Sequence, residues 1–270
     1  MSKHLKNIHL IQIELALEVK RICEKYDIKY ALIAGTLLGA VRHKGFIPWD
    51  DDLDVGMTRE NYERFLKVAQ KDLGYNYFIQ TWETDPGFAL PIAKMRKNDT
   101  EFVEMSTQYI DIHHGVYIDI FPFDNVPSNM IKRSLHCMST YVLKRILMSK
   151  KKYVLWNEKQ LFKKFFYKFF YGCIYLIHPA IIKNILLKFM TFFNNQVSAE
   201  VVNIGGAYGY RKETIKREWI ENLSLIEFEK HKFLAPLNYN EYLSYFYGDY
   251  MTLPPTEKRG NRHNIIRIKI

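Results

Sequence analysis

The sequence predicts an α/β or α+β core with an additional basic helical region. Three observations carry that expectation. Strand-like and helix-like patterns alternate through the first 127 residues. Four carboxylates crowd the entrance to one of those strands, in the stretch GTLLGAVRHKGFIPWDDDLDVGM at positions 35–57. From about residue 128 the chain turns helical by pattern and strongly basic.

Taken in order, Leu5 to about Lys25 repeats apolar residues at helical spacing (Ile8, Ile11, Leu15, Val19, Ile22) and reads as an amphipathic helix. Tyr30 to Ala34 is a short apolar strand ending at Gly35, and a brief helix over Leu37 to Arg42 follows. Pro48 sets a turn before a second strand, Leu53 to Met57. Thr58 is placed to cap a helix that runs to about Asp72, with Glu60 in its first turn. Tyr77 to Thr81, Ala89 to Arg96 and Gly115 to Phe121 are the remaining strand candidates, and Asp124, after Pro122, is expected to cap a turn. These elements make a core over residues 1–127. Residues 128–200 form a basic helical insert, and 201–270 a C-terminal helical and loop region completing the site. In that last region Asn238 and Glu241 are spaced as a capping box, and Gly248 is placed to stop the helix.

Composition narrows the class. Hydrophobic residues at 48% and charged residues at 25% are those of an ordinary globular chain. Cys23, Cys137 and Cys173 lie far apart without CxxC spacing, so neither a disulfide framework nor a zinc site is expected. The start, MSKHLKNIHLIQIEL, lacks the apolar run of a signal peptide, and a cytoplasmic location is expected. Between Ile131 and Met190 thirteen Lys or Arg face a single acid, Glu158. Such a stretch seeks polyanions: nucleic acid, acidic lipid or a phosphate-rich substrate. Its longest run free of charge, Phe169 to Ile182, is too short and too interrupted to span a bilayer, whereas lysines between aromatic rings suit a helix lying in the membrane interface. The alternative is a helical insert packed on the core with a solvated basic face.

Asp50, Asp51, Asp52 and Asp54 occupy four of five consecutive positions. Strand side chains alternate, so Asp52 and Asp54 share one face about 7 Å apart while Leu53 and Val55 point into the core. Carboxylates this close repel unless a cation lies among them, and oxygen-only donors suit a hard divalent ion, Mg²⁺ above all. An EF-hand is excluded, because its glycine position is Val55 and its glutamate position is Asn61. Gly35 and Thr36, at the turn after the first strand, are a backbone and hydroxyl pair able to approach a phosphate. Asp119 lies among Val116, Ile118 and Ile120, an acid costly in so apolar a strand unless it has a partner. Lys94 and Arg96 share a strand face, and Arg42, His43 and Lys44 precede the acids, so each is a candidate for gripping phosphate oxygens. His113-His114 lacks a third ligand at zinc-like spacing. Trp49 and Trp82 are aromatic faces available to a ligand cation.

The block from Gly35 to Met57 resembles the LicD family of phosphotransferases, relatives of fukutin and the fukutin-related protein. KMRKNDTEF, GVYIDIFPFDNVP and the C-terminal YGDYMTLPPTEKR extend the resemblance toward both ends of the chain, while the basic middle is not distinctive. It implies a nucleotidyltransferase-like fold, a mixed sheet flanked by helices, in which Asp52 and Asp54 are a metal-binding pair, Asp119 the third carboxylate and Asp50 an outer, assisting acid. It further implies Mg²⁺ (or Mn²⁺) as cofactor and transfer of phosphocholine from CDP-choline to a hydroxyl of a glycan or lipid-linked glycan (teichoic acid, lipopolysaccharide or capsule), with release of CMP. Glycerol-phosphate or ribitol-phosphate transfer from a CDP-linked donor, and true nucleotidyl transfer, remain open on the same fold. A non-enzymatic basic protein binding membrane or nucleic acid would leave the three acids unexplained. Nucleic acid is therefore not an expected partner, whereas peripheral contact of the basic helices with the anionic inner face of the plasma membrane is.

Overall fold

A computed structural model of the protein describes residues 3–153, 175–260 and 264–270, together with positions 165, 169 and 172. Most of positions 154–174, where lysines alternate with aromatic rings, and positions 261–263 lie outside the described residues.

The first helix, α1 (Lys3–Lys25), forms as its periodicity requires, with Ile8, Leu15, Val19 and Ile22 all buried. Strand β1 is only Ala31–Leu32, and α2 begins at Ala34, earlier than the sequence suggested, so Gly35 and Thr36 belong to its first turn. Strand β2 (Asp54–Thr58) leads directly into α3 (Arg59–Asp72). The Thr58 hydroxyl makes no cap to the α3 backbone; it accepts instead from the Asn61 side chain at 2.9 Å. Next come β3 (Tyr77–Gln80), β4 (Ala93–Lys97), β5 (Glu101–Glu104) and β6 (Tyr117–Asn125).

The main sheet runs β1-β2-β6-β4-β3, with β2 and β6 parallel and the other neighbours antiparallel. Strand β6 continues through Pro122 and pairs with β7 (Glu200–Val202), which in turn pairs with β8 (Thr214–Lys216). Asp124 therefore does not cap a turn. It is fully buried inside β6, gripped by Arg59 at 2.8 and 2.6 Å and by the Asn194 amide at 2.7 Å. A buried carboxylate satisfied from three sides can sit in a strand, and the turn reading missed partners distant in sequence.

The two sheet faces are used differently. Val55, Met57, Ala93, Met95, Ile118 and Ile120 pack under α1 and α3 in one core. Burying each such side chain stabilises the fold by roughly 1.5–3 kcal/mol. Alternation turns Asp54, Lys94 and Asp119 toward the other face. There α2 joins α8 (Tyr239–Tyr247) and the hairpin β9 (Leu223–Phe228)–β10 (His231–Pro236). Short helices α6 (Tyr210–Glu213) and α7 (Glu218–Glu221) flank β8, and β11 (Ile265–Lys269) pairs with β5. In the basic region, α4 (Met130–Lys150) packs against α5 (Pro179–Thr191). The capping box at Asn238 does not form: its side chain makes no cap bond, and the Glu241 carboxylate pairs with Lys216 at 3.0 Å. Gly248 does end α8, with φ +66°.

Candidate active site

The acidic run is a loop, not a strand, until Asp54; β2 starts at that residue. Residues 50–53 are held in place from beneath by α1. His9 Nε2 lies 2.8 Å from the Asp50 carbonyl oxygen, and the Gln12 amide donates to the Asp51 carbonyl at 2.7 Å and to that of Tyr117 at 3.2 Å. Gln12 thus ties the acidic loop to β6. One carboxylate oxygen from each of Asp50, Asp51 and Asp52 lies within 4.8 Å of the others, so the tight cluster includes Asp51, which the sequence reading had left out. Gly35 is where the fold needs no side chain. A Cβ there would stand 2.8 Å from Asp50 Oδ2, so only glycine lets that carboxylate lie against the start of α2.

That start is itself conformationally unusual. Ala34 has φ +49°, a left-handed backbone that costs an alanine roughly 1 kcal/mol, and its N–H donates to the Tyr242 hydroxyl at 3.2 Å. Thr36, buried, accepts the backbone N–H of Asp54 on its hydroxyl oxygen at 2.8 Å. Its hydroxyl therefore ties α2 to the first residue of β2, and the O–H proton remains a donor.

Asp54 and Asp119 are direct register partners on the parallel strands β2 and β6, and Lys94 is the partner of Asp119 on the antiparallel side. All three residues are buried. Lys94 Nζ lies 2.7 Å from Asp119 Oδ1 and 3.3 Å from the centroid of the Tyr117 ring. The ammonium sits off the hydrogen-bonding direction of Oδ1, so that oxygen has a charge partner but no directed hydrogen bond. Burial first, then the carboxylates of Asp52, Asp119 and Asp50, push the Asp54 carboxyl well above its ordinary range, and Lys94 offsets only part of this. Four acids (Asp50, Asp52, Asp54 and Asp119) and one cation thus converge from the acidic loop, β2, β4 and β6.

The remaining candidates separate. Arg96 shares the face of Lys94, as alternation requires, but is committed internally: Nε donates to Gln80 at 2.7 Å and Nη1 to the Gly115 carbonyl at 2.6 Å. Arg42 donates to the Tyr250 carbonyl at 2.9 Å, and so holds the C-terminal YGDYMT segment against the end of α2. Burial and the neighbouring Arg259 cation lower its pKa. Trp49 lies near this corner, with the Arg259 guanidinium 5.4 Å from its ring centroid. Trp82 lines a separate cavity of about 270 Å³ with Arg59 and Tyr62 of α3, and none of the clustered aspartates lines it. His113 and His114 bond to Asn98 and to the Ile110 carbonyl.

His9, Gln12 and Tyr242 are the contributors that motif reading missed. Gln12 did leave a signal: it sits between Ile8 and Leu15 on the buried stripe of α1, a polar residue at a core position. Tyr242 left none, since its partner Ala34 is 208 residues away.

The donors present are carboxylate oxygens, and the group that could hold a hard divalent cation is Asp50, Asp51 and Asp52, without Asp54 or Asp119.

Comparison with known proteins identifies the family. Residues 27–162 match the family described as LicD/FKTN/FKRP, nucleotidyltransferase domain. The chain is 30% identical over 246 residues to the lipopolysaccharide cholinephosphotransferase LicD of Haemophilus influenzae, covering 90% of this chain and 89% of that one. Uncharacterized proteins of Rickettsia typhi and Rickettsia prowazekii match over 64 residues at 45% and 50% identity, 23% of this chain in each case and 21% and 24% of theirs. With half of the chain matched by the family and nine-tenths of it aligned to a cholinephosphotransferase, the protein belongs to the LicD/FKTN/FKRP nucleotidyltransferase-domain family and is an enzyme that transfers phosphate-containing groups.

Proposed function

We propose that this enzyme transfers phosphocholine from CDP-choline to a hydroxyl of a lipopolysaccharide or related cell-surface glycan, releasing CMP. The observation that carries the proposal is the register of Asp54 and Asp119 beside Lys94, next to the Asp50–Asp52 cluster. The H. influenzae relative, by its name a lipopolysaccharide cholinephosphotransferase, supports the choice of alcohol and acceptor.

Each residue has work that follows from its place. Asp50, Asp51 and Asp52 would hold Mg²⁺ or Mn²⁺, with Asp54 and Asp119 adjoining them. When bound there, the divalent ion supplies charge neutralisation for the donor diphosphate. Gly35 lies at the α2 N-terminus against the Asp50 carboxylate, and the Thr36 hydroxyl donates toward a phosphate oxygen. Asp119 accepts the proton of the acceptor hydroxyl. The freed oxygen attacks the phosphorus that bears choline, and the bond from that phosphorus to the bridging oxygen breaks. The electron pair leaves with CMP, and the proton rests on Asp119. Lys94 keeps a counter-charge beside this carboxylate and faces the equatorial oxygens as charge spreads over them. In-line positioning supplies much of the acceleration.

The test is incubation of the purified protein with lipopolysaccharide, Mg²⁺ and a panel of CDP-linked alcohols, scoring CMP by chromatography and the glycan by mass. Phosphocholine addition from CDP-choline, lost in chelator, is expected. Turnover of CDP-glycerol or CDP-ribitol in its place would overturn the choline assignment, and full activity in excess chelator would overturn the metal.

A further inference from the structure

Helix α4 has two apolar sides. Its inward side buries His136, Thr140, Leu147 and Ser149, with Leu143, Ile146 and Met148 packed against the core. His136 is fixed at both ring nitrogens, by the Tyr210 hydroxyl at 2.6 Å and the Phe189 carbonyl at 2.9 Å, so the rotation of the helix is set by buried polar bonds. Its outward side carries Ile131, Leu135, Met138 and Val142 at i, i+4, i+7 and i+11, exposed by 73%, 54%, 58% and 36%. At that spacing an ordinary surface helix turns apolar residues inward.

Its antiparallel neighbour α5 repeats the feature. Ile181, Ile185, Phe189 and Phe192 form a second exposed stripe, while Ile182, Leu186 and Met190 face the core. The α4 stripe also borders a groove of about 810 Å³, whose α4 wall includes Met130, Met138 and Tyr141 and whose rim carries Arg133, Arg211 and the acid Glu200. Helices α4 and α5 carry no acid of their own, and Lys132 and Lys188 are exposed on them, while Arg133 pairs with Glu200.

We propose that the α4–α5 face docks on an anionic lipid bilayer, both helices lying in the interface with their apolar stripes among the acyl chains and the lysines at the headgroups. Charge decides the occupant. A second copy of this chain, meeting the same patch across a two-fold axis, would bring two strongly basic surfaces together. A nucleic acid would leave the aliphatic stripes uncovered. Anionic lipid satisfies both features, each cation near the surface strengthening binding roughly fivefold. No described helix is long and apolar enough to cross a membrane, so the helices lie on the surface. This docking does not depend on which alcohol is transferred.

Sedimentation with vesicles of phosphatidylglycerol and phosphatidylcholine, against phosphatidylcholine alone, tests it. Wild type should bind the anionic vesicles and lose binding at high salt or on the neutral ones. The double variant Leu135→Glu/Met138→Glu should bind at least tenfold more weakly, with unchanged melting temperature and unchanged CMP release on a soluble acceptor, since both positions are exposed. Lys132→Glu/Lys188→Glu should lower binding without touching the apolar stripes. Equal binding by wild type and the Leu135/Met138 variant overturns the proposal. So does absence of wild-type binding, or a dimer in solution that this variant dissociates.

Discussion

Asp54 and Asp119 stand opposite each other on the only parallel pair of the main sheet described, and Lys94 occupies the matching position beyond Asp119. Two buried carboxylates share one cation, while three further acids sit just upstream. Such a site is under electrostatic strain until a further positive charge arrives.

That strain should be measurable as a trade of stability against activity. Asp54→Asn is expected to raise the melting temperature in chelator, by about 1 kcal/mol of stability, because it removes a buried charge repelled by its neighbours. The same substitution should cut CMP release by roughly 10³-fold. A variant less stable than wild type in chelator would show that the Asp54 carboxyl is not repelled as described.

Lys94 is expected to behave in the opposite sense. Lys94→Met leaves the Asp119 carboxylate buried without its counter-charge and should cost about 3–5 kcal/mol in urea unfolding. Adding Asp119→Asn to Lys94→Met should restore much of that stability and none of the activity. A double mutant as unstable as Lys94→Met would place the loss in packing against Tyr117.

The acidic loop should be sensitive to residues that carry no charge. Gly35→Ala puts a methyl 2.8 Å from Asp50 Oδ2, and Gln12→Leu removes the amide that holds the Asp51 and Tyr117 carbonyls. Each is expected to raise the Mg²⁺ concentration needed for half-maximal CMP release about tenfold, and Gln12→Leu to cost about 1–3 kcal/mol through two unpaired carbonyls. Unchanged Mg²⁺ dependence in both would detach the loop from the metal.

His113 sets a pH dependence far from the acids. The Gly115 N–H donates to Nδ1 at 3.0 Å, so Nε2 carries the proton and donates to Asn98 at 2.9 Å. Burial, and next the Arg96 cation, lower its pKa from 6.5 to about 4. The unfolded chain therefore binds more protons between those values, so this contribution is present above pH 6.5 and lost as pH falls toward 4. Melting temperature should decline over that window, and His113→Gln should flatten the decline. An identical profile in the variant would assign the slope to another group.

Periodicity made much of this fold legible. The burial stripe of α1, the alternation that sends Val55 and Ile118 inward and Asp54 and Asp119 outward, and the span of α3 are local patterns, and local patterns survive in sequence. β5, β7 and β8 were not, being three or four residues long and held by strands far away. Asp124 reads as a turn residue because Arg59 and Asn194 are 65 and 70 positions distant. The outward stripe of α4 was hidden for a like reason: the sequence shows an apolar spacing, but a buried histidine decides which way it turns.

By itself, then, the sequence determined which side chains could do the chemistry: a run of aspartates before an apolar strand, a lone acid in a second strand, a glycine where the chain enters a helix. Tertiary structure alone decided that they meet. The parallel pairing of β2 with β6 sets Asp54 beside Asp119 across 65 residues, and a shift of one residue would have turned Asp119 into the core beneath α1 and α3. Register is fixed by burial of the whole face at once, which no single stretch of sequence contains.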